Sequence, residues 1–507
     1  MTQTQCYDLV IVGGGINGTG IAMEAASRGL RVLLCEQQDL AEGTSSRSSK
    51  LIHGGLRYLE HGHLRLVRES LSERETLLHM APHIVWPLRF RLPLTPGQRP
   101  AWMLRVGLWL YDHLSRRNHL PASRRCHFAD GDLKPALATG FEYSDAWVDD
   151  ARLVVLCARQ AADDGARILP RCRCVNARRN GEGWQVELRH RDSGQREVVA
   201  ARAIVNASGP WINLVFDAVL SEPPPHPVRL VKGSHIVVPS ITHDKYAYIL
   251  QNSDGRVVFV LPYETDYSLI GTTETAHAGD PANPAVSAAE EAYLLASINQ
   301  HFGQQRSAGD ICYRFAGVRP LLDDRAGSMG AISRDYRLEL SPADHGAPLL
   351  SVYGGKITSF RRLAEKCLDR LAPFFPALGP SRSRQLVLPG GDFSDPAALA
   401  AELAQHSPWL DQALLQRWVR SYGTHSRLLL AGCHSMADLG THFGGSLTRR
   451  EVDYLRQHEW ALSADDILWR RTKQGLRLSA QQQALLTDYL ASLTAPSAAA
   501  MVDIHEL

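Results

Sequence analysis

A glycine-rich turn near the start of the chain constrains the fold more than any other feature. The stretch from Leu9 to Gly20 reads LVIVGGGINGTG, an apolar strand that runs into a turn and then a helix. In such a turn Gly13 gives the tight bend, Gly15 allows a pyrophosphate to approach the backbone, and Gly18 allows the helix to pack on its strand. Amide groups at the start of the helix would face the phosphates. The pattern predicts a dinucleotide-binding site.

A second strand supports this interpretation. The predicted helix from Ile16 to Arg28 is followed by an apolar strand from Arg31 to Cys35, and the strand ends at Glu36. A carboxylate in that position can hold the hydroxyl groups of a ribose. The complete βαβ unit favours a nucleotide over a glycine-rich turn without a ligand. These residues leave NAD and FAD equally open.

Length and composition place the chain among ordinary globular proteins. Its 507 residues exceed what one hydrophobic core usually supports, so we expect two or three domains. The nine cysteines show no zinc or redox spacing, which predicts reduced cytosolic thiols and no metal site. A formal net charge of +2 argues against a nucleic-acid-binding protein. We expect neither a secretory signal nor a membrane span, because no apolar stretch approaches about 20 residues.

The strand and helix patterns predict three domains. The strand-turn from Ala201 to Trp211 and the strand from Leu350 to Tyr353, with its following glycines, are interpreted as returns to the nucleotide domain. Turn-rich β patterns from Val228 to Thr273 predict an antiparallel sheet, and helical periodicity dominates after residue 386. The expected units are a discontinuous nucleotide-binding domain (1–80, 150–225 and 320–385), a substrate-binding cap (81–149 and 226–319) and an all-helical C-terminal domain (386–507).

A polar segment identifies the family that the chain resembles. Thr44 to Leu59 reads TSSRSSKLIHGGLRYL, which is too polar for a core and is expected at a ligand. Together with KGSHIVVP, GTTE, GVRPL and YGGKIT, it resembles the bacterial FAD-dependent, quinone-linked glycerol-3-phosphate dehydrogenases over nearly the whole chain. The resemblance implies an α/β fold: a glutathione-reductase-type, Rossmann-like FAD domain with a mixed α/β cap built on an antiparallel sheet.

The resemblance also implies the reaction and the cofactor. FAD is expected rather than NAD, and sn-glycerol 3-phosphate would be oxidised to dihydroxyacetone phosphate in glycerol catabolism, with electrons passed to a membrane quinone. The resemblance also assigns a set of residues to FAD binding, through close approach of their backbone to the cofactor or through hydroxyl contacts. They are Gly13, Gly15, Gly18, Glu36, Thr44, Ser45, Ser46, His53, Ala207, Gly209 and Gly355.

The proposed substrate needs cations for its phosphate, a base for its hydroxyl proton and a flavin facing its C2 hydrogen. Arg319 and Arg57 lie in family motifs and can form charge-assisted forks to phosphate or to the carbonyl oxygen that develops during the reaction. Tyr58 and Arg334 are weaker candidates for the same task. Lys356 follows a Gly-Gly turn, where it could hold charge near the flavin or stabilise an alkoxide. An internal ion pair is the alternative for each arginine.

Two histidines compete for the role of general base. His235 lies in the predicted strand KGSHIVV, and a neutral imidazole near pH 7 is a natural proton acceptor. We predict that His235 is the base and that His53 supports the flavin. Lys356 or an arginine remains open as the group that takes the proton.

The implied quinone lies in lipid, so we expect a cytoplasmic protein attached peripherally to the cytoplasmic face of the inner membrane. Two predicted amphipathic helices carry basic residues that suit an anionic membrane surface: residues 356–375, which is the preferred candidate, and Pro100 to Arg117. A helix that faces the core has the same pattern. A homodimer is expected from base rates alone.

Two other functions remain open. An oxygen-using glycerophosphate oxidase or an amino-acid oxidase would share the fold, although the arginines favour a phosphorylated substrate. The length from Val257 to Arg319 also leaves little room for an insertion associated with the oxidases. A dinucleotide-binding regulatory module would instead use Trp469 to Gly475, WRRTKQG, to bind a protein or a nucleic acid. Such basic patches are more often solvated faces or internal docking surfaces.

Overall fold

The computed structural model describes residues 5–60, 62–95, 97–117, 120–128, 131–181, 183–322, 335–342 and 346–494. Its helices are α1 (Ile16–Ser27), α2 (Leu64–Met80), α3 (Ala101–His113), α4 (Asp150–Asp163), α5 (Ile212–Val215), α6 (Ala288–His301), α7 (Phe360–Leu371), α8 (Pro396–His406), α9 (Gln412–Tyr422), α10 (Ser426–Leu430), α11 (Arg449–Glu459) and α12 (Ala480–Thr494). Its strands are β1 (Cys6–Val12), β2 (Val32–Cys35), β3 (Leu51–Ile52), β4 (Val85–Pro93), β5 (Arg124–His127), β6 (Thr139–Val148), β7 (Arg167–Leu169), β8 (Cys172–Asn180), β9 (Gly183–His190), β10 (Arg196–Asn206), β11 (Val228–Pro239), β12 (Ala247–Gln251), β13 (Val257–Tyr263), β14 (Tyr267–Gly271), β15 (Thr275–Ala276), β16 (Tyr313–Leu322), β17 (Arg337–Leu340), β18 (Leu349–Tyr353), β19 (His442–Gly444) and β20 (Leu447–Thr448).

The first sheet carries the nucleotide-binding unit. Its main path runs β17-β18-β10-β1-β2-β7, and the β8–β9 hairpin joins it through β10. The four pairs from β18 to β7 are parallel, which matches the continuous apolar runs of β1 and β2, because a parallel sheet is covered on both faces. Helices α1, α4 and α7 cover one face, and the β8–β9 hairpin with residues 212–220 covers the other. The predicted returns therefore join the sheet of β1, with β10 next to β1 and β18 next to β10.

The second sheet forms the cap. Its main path is β15-β11-β14-β13-β12-β4-β6-β3, with β16 paired to β11 and β5 paired to β6. Its described pairs are antiparallel except for β4–β12. Alternation along β11 sends Val237 into the core under α2 and α3, and Ile236 into the core under α6. The prediction of a mixed α/β cap is confirmed. The domain limits stay predictions, and β3, which lies within the predicted nucleotide-binding segment 1–80, pairs in the cap sheet.

The C-terminal part has a core of its own. Helices α8 to α12 enclose a cluster that includes Leu403, Trp418, Val452, Leu468 and Leu486. The short hairpin β19–β20 is its one described sheet. The expectation of a helical C-terminal domain is confirmed.

The preferred membrane helix, residues 356–375, is a core helix, so that prediction is wrong. The apolar residues of α7 are fully buried, and they include Phe360, Leu363 and Leu371. A Cβ at Gly20 of α1 would lie 2.6 Å from Phe360 Cδ2, which shows how closely the two helices pack. The hydrophobic face of α7 is therefore used by the first domain and is closed to lipid. None of the helices in the described ranges is long and apolar enough to cross a membrane.

Candidate active site

A cleft opens at the carboxyl ends of β1, β2, β10 and β18, where an α/β sheet of this kind binds its ligand. Parallel strands end at one edge, so turns that are far apart in sequence meet there. The predicted cofactor residues that line the cleft are Gly13, Gly15, Glu36, Thr44, Ser45, Ala207, Gly209 and Gly355.

The glycine turn fits a dinucleotide because side chains would fill it. Gly13 has φ of +114°, and a Cβ there would lie 2.6 Å from the carbonyl oxygen of Ala207. A Cβ at Gly18 would lie 1.9 Å from the carbonyl oxygen of Gly13, so Gly18 acts in packing rather than as part of the cleft wall. A Cβ at Gly15 would lie 3.0 Å from Ser45 Oγ. Bare backbone therefore faces the position that a pyrophosphate would take.

Glu36 is anchored at the end of β2. Its two carboxylate oxygens accept hydrogen bonds from the amides of Gly14 at 2.7 Å and Gln38 at 2.8 Å. Burial raises the pKa of Glu36, and these two amide donors act in the opposite direction. The side chain is held at the cleft wall, where it can accept hydrogen bonds from the hydroxyl groups of a ribose.

The serine-rich segment divides into residues at the cleft and residues behind it. Ser45 Oγ accepts a hydrogen bond of 2.9 Å from the amide of Ile16, at the start of α1. Thr44 Oγ1 donates to the carbonyl of Val318 in the cap. Ser46 lies outside the lining, and its carbonyl accepts a 3.1 Å bond from Lys50 Nζ. The segment therefore joins the glycine turn to the cap.

Two buried polar atoms without hydrogen-bond partners in the described structure lie at the turn after β18. They are Lys356 Nζ and Asn17 Oδ1. Asn17 Nδ2 donates to the carbonyl of Gly354 at 3.1 Å, and Lys356 Nζ lies 3.9 Å from the centre of the Tyr58 ring. Gly355, with φ of +98°, leaves room there, since a Cβ would be 3.0 Å from Asn17 Nδ2. Two such atoms close to the cleft residues Gly354 and Gly355 are compatible with a polar ligand at the turn.

His53 lies at a junction between the cofactor domain and the cap. Its amide donates to Thr358 Oγ1 at 3.3 Å, and its ring meets Phe259 edge-on at 6.2 Å. This position is compatible with a role in supporting the flavin, which stays a prediction.

His235 is buried in β11, opposite Phe315 of β16. Its ring stacks on the Phe315 ring at 4.8 Å, and its Nε2 lies 2.9 Å from Ser49 Oγ. Burial lowers the pKa of His235 to about 3, and the positive charges of Lys50 and Arg319 act in the same direction. Its Nδ1 is buried without a hydrogen-bond partner in the described ranges. The imidazole is therefore neutral near pH 7 and has one ring nitrogen available.

The arginine candidates differ in their surroundings. Arg319 lies in β16, about one-third exposed (32%), and its Nη2 is 3.3 Å from Glu274 Oε1. Arg319 therefore takes part in an internal ion pair, which was the alternative to phosphate binding. Arg57 is exposed in the short helical turn Leu56–Leu59, next to Tyr58. Arg334 lies outside the described residues.

Sequence reasoning missed several contributors. Asn17 lies inside the glycine fingerprint, where a polar side chain between glycines was an available signal. Ser49 contacts His235, and Lys50 forms a buried 2.7 Å ion pair with Asp150. The position of Lys50 in a serine-rich segment gave no indication of this ion pair. No cluster of three metal-ligating side chains occurs within the described ranges. The individual site roles stay predictions, as do the absence of a metal and the homodimer.

Two family profiles match the chain. The profile described as "FAD dependent oxidoreductase" covers residues 8–361, and "C-terminal domain of alpha-glycerophosphate oxidase" covers residues 381–495. Among solved structures, the glycerol-3-phosphate dehydrogenase from Bacillus halodurans complexed with FAD has a TM-score of 0.76 and 25% sequence identity, over 97% of this chain and 91% of that one. The cofactor is FAD, which confirms the choice over NAD.

Curated relatives cover almost the full length of the chain. A glycerol-3-phosphate dehydrogenase of Pseudomonas aeruginosa is 54% identical, over 96% of each chain. The aerobic glycerol-3-phosphate dehydrogenase of Escherichia coli is 50% identical, over 96% of this chain and 98% of the relative. A D-erythritol 1-phosphate dehydrogenase of Brucella abortus is 47% identical, with the same coverage. The chain belongs to the FAD-dependent oxidoreductases and, within them, to the glycerol-3-phosphate dehydrogenase family.

Proposed function

We propose that this enzyme oxidises sn-glycerol 3-phosphate to dihydroxyacetone phosphate and passes the electrons to a membrane quinone. The observation that carries the proposal is the buried ammonium group of Lys356 beside the turn of Gly355. This ammonium contacts the Tyr58 ring but has no hydrogen-bond acceptor in the described structure, so a ligand with negative charge is expected to complete the site. A phosphorylated alcohol supplies negative charge on its phosphate and, as its hydroxyl loses a proton, on its oxygen, and the names of the relatives at 54% and 50% identity favour glycerol 3-phosphate.

Each part of the reaction has a candidate group. The glycine turn and Glu36 would hold FAD, which would supply the hydride acceptor for C2 of the alcohol. His235 accepts the hydroxyl proton through its available Nδ1, so loss of hydride and proton turns the alcohol into a ketone. Arg319 and Arg57 bind the phosphate by charge-assisted hydrogen bonds, and Lys356 holds negative charge near the flavin. Tyr58 packs against Lys356 and limits where its ammonium can move.

Anaerobic bleaching of the flavin spectrum tests the substrate directly. We expect sn-glycerol 3-phosphate to reduce the flavin, and glycerol without phosphate to leave it oxidised. D-erythritol 1-phosphate is included because a relative at 47% identity carries that name. A higher kcat/KM for D-erythritol 1-phosphate would contradict the proposed substrate, and reduction by an amino acid alone would contradict the substrate class.

The electron acceptor is tested in the same preparation. A quinone-linked enzyme should reduce a soluble quinone analogue much faster than it forms hydrogen peroxide under air. Peroxide formed in proportion to substrate, with no effect of quinone, would indicate the oxidase alternative.

We also propose that α3 contacts an anionic membrane surface, in place of α7. Trp102, Val106 and Trp109 recur at helical spacing and are 69%, 52% and 58% exposed. Arg105 is exposed on the same helix, and Arg65 is exposed at the start of α2. Exposed tryptophans beside basic residues suit the headgroup region of a bilayer.

Sedimentation with lipid vesicles separates this face from other exposed apolar residues. The protein should sediment with phosphatidylglycerol vesicles at low salt and less with phosphatidylcholine vesicles. The double variant Trp102→Ala/Trp109→Ala should stay in the supernatant, whereas Leu485→Ala, at an exposed position of α12, should sediment normally. Equal sedimentation of the tryptophan variant and the wild type would contradict the proposal.

A further inference from the structure

A buried group of charges joins the C-terminal domain to the loop that follows β2. Arg471 is fully buried, and its Nη1 and Nη2 each donate to a different oxygen of Asp39 at 2.8 Å. Arg470 Nε donates to the same carboxylate at 2.7 Å. These arginines belong to the WRRTKQG segment, so its interpretation as an external binding surface for a protein or nucleic acid is wrong. The segment is an internal docking surface.

The loop that contains Asp39 also forms one wall of the FAD cleft. Residues 36–38 and 41–45 line the cleft, whereas Asp39 and Leu40 are absent from its wall and buried on the other side. The amide of Ala41 donates to the carbonyl of Gly14 at 3.1 Å. The loop therefore contacts the glycine turn on one side and the two arginines on the other.

A second connection runs through the turn between β7 and β8. The amide of Arg171 donates to the carbonyl of Gln38 at 2.8 Å, and Arg171 Nη2 donates to Asp466 Oδ2 at 2.7 Å. Asp466 in turn accepts a bond of 2.6 Å from Arg470 Nη2. The adjacent loop residues Gln38 and Asp39 are thus both connected to one stretch of the C-terminal domain.

The loop contains one residue in an unfavourable backbone conformation, which surrounding contacts must stabilise. Ala41 has φ of +65°, in the left-handed region that non-glycine residues rarely adopt. Such a conformation persists where surrounding contacts enforce it. The Ala41 amide and carbonyl are bonded to Gly14 and Ser46, and the charge-assisted bonds from Arg470 and Arg471 to Asp39, two residues earlier, add contacts from outside the FAD domain.

We propose that the C-terminal domain positions the FAD-binding loop, and that Asp39 and Arg471 are positioning residues for the cofactor. The bonds between them hold residues 36–45 against the glycine turn, so that Glu36 and the backbone of the loop are prearranged for the ribose and the phosphates. The proposal concerns FAD binding and requires no particular substrate, so it goes beyond the proposed reaction and can fail independently of it.

FAD release from the holoenzyme tests the proposal. Asp39→Asn removes the charge with little change in shape, and we expect FAD to be released at least 10-fold faster, measured by the rise of free-flavin fluorescence. Arg417→Met is the matched control, because the largely buried Arg417 forms a two-bond ion pair with the buried Glu451 inside the C-terminal domain, away from the cleft wall. It should lower the Tm while leaving the release rate within twofold of the wild type.

Arg471→Lys is the second variant, and it carries the test if Asp39→Asn does not fold. A lysine keeps the positive charge but cannot form both bonds to the carboxylate. We expect faster release together with increased hydrogen exchange in residues 36–45 of the holoenzyme. Release at the wild-type rate from the folded variants would overturn the proposal. So would equal acceleration in Arg417→Met at the same loss of Tm, since general loosening of the C-terminal domain would then explain the result.

Discussion

The FAD cleft and the cap meet at one site, but different kinds of structure form their contributions to it. In the cleft the backbone is decisive, because Gly13 and Gly18 leave no room for a Cβ. In the cap the proposed catalytic and phosphate-binding groups are side chains, and His235 and Arg319 come from two strands paired in antiparallel register. Changes in the cleft should therefore alter the affinity for FAD, whereas changes in the cap should alter the reaction rate or substrate binding.

The largest expected effect lies in the cap. His235→Ala should slow flavin reduction by glycerol 3-phosphate by about 10²- to 10⁴-fold, the usual contribution of a general base. FAD should remain bound, and anaerobic stopped-flow absorbance measures both properties. His83→Ala is the control, because His83 is also buried with its pKa lowered to about 3 by burial, but it packs against Phe393. Loss of flavin from His235→Ala would contradict the division between the two regions.

Gly18→Ala should have the largest effect in the cleft. The added Cβ would overlap the carbonyl of Gly13, and overpacking of about 1–3 kcal/mol corresponds to roughly 5- to 150-fold weaker FAD binding. Titration of the apoprotein with FAD measures this change. Gly107→Ala should bind FAD normally, since no atom lies within 4 Å of its Cβ position in α3. Unchanged FAD affinity in Gly18→Ala would show that the turn tolerates a side chain.

A smaller effect is expected for the proposed phosphate ligand of the cap. Arg319→Ala should raise KM for glycerol 3-phosphate by about 10- to 100-fold, as expected for the loss of hydrogen bonds from a charged group, while FAD stays bound. Arg314→Ala provides a control on the same strand, where the arginine pairs with Glu291 at the surface. Steady-state kinetics should separate the two variants. Equal KM values would contradict a phosphate-binding role for Arg319.

The smallest expected effect is an opposite response of the two regions to pH. Burial holds the pKa of His235 near 3, below its unfolded value of about 6.5, so its contribution to stability is lost as pH falls through that window. Burial raises the pKa of Glu36, so its contribution is lost as pH rises above about 4.5. In the apoprotein, the Tm of Glu36→Gln relative to the wild type should be higher at pH 7 than at pH 4.5, and the Tm of His235→Asn relative to the wild type should be higher at pH 4.5 than at pH 7. Parallel shifts in the two variants would contradict this contrast.

Much of the cofactor site could be predicted because its signals are local. The turn from Gly13 to Gly18 requires glycines within six neighbouring positions, and strands of a parallel sheet bring Glu36, Ala207 and Gly355 to the same edge. The contact of Ser49 with His235 could not be predicted in this way. It depends on how the segment after β2 packs against β11, and no sequence period encodes that distance.

The two amphipathic helices show the same limit. Both α7 and α3 combine apolar and basic residues, so their patterns predicted lipid contact and core packing equally well. Packing against α1 buries the apolar face of α7, while Trp102 and Trp109 of α3 remain exposed. An amphipathic pattern indicates that one face of a helix is apolar, but it does not indicate whether protein or lipid covers that face.

The sequence by itself determined the dinucleotide turn, the three-part organisation and, through its motifs, the family. These follow from backbone geometry and short-range periodicity, which neighbouring residues specify. Only the tertiary structure decided that Arg470 and Arg471 form ion pairs with Asp39, a residue of the FAD-binding loop that is absent from the cleft wall. More than 400 positions separate these partners along the chain. Charges that are free to pair with many others in an extended chain acquire one partner only when packing excludes water and fixes their distance.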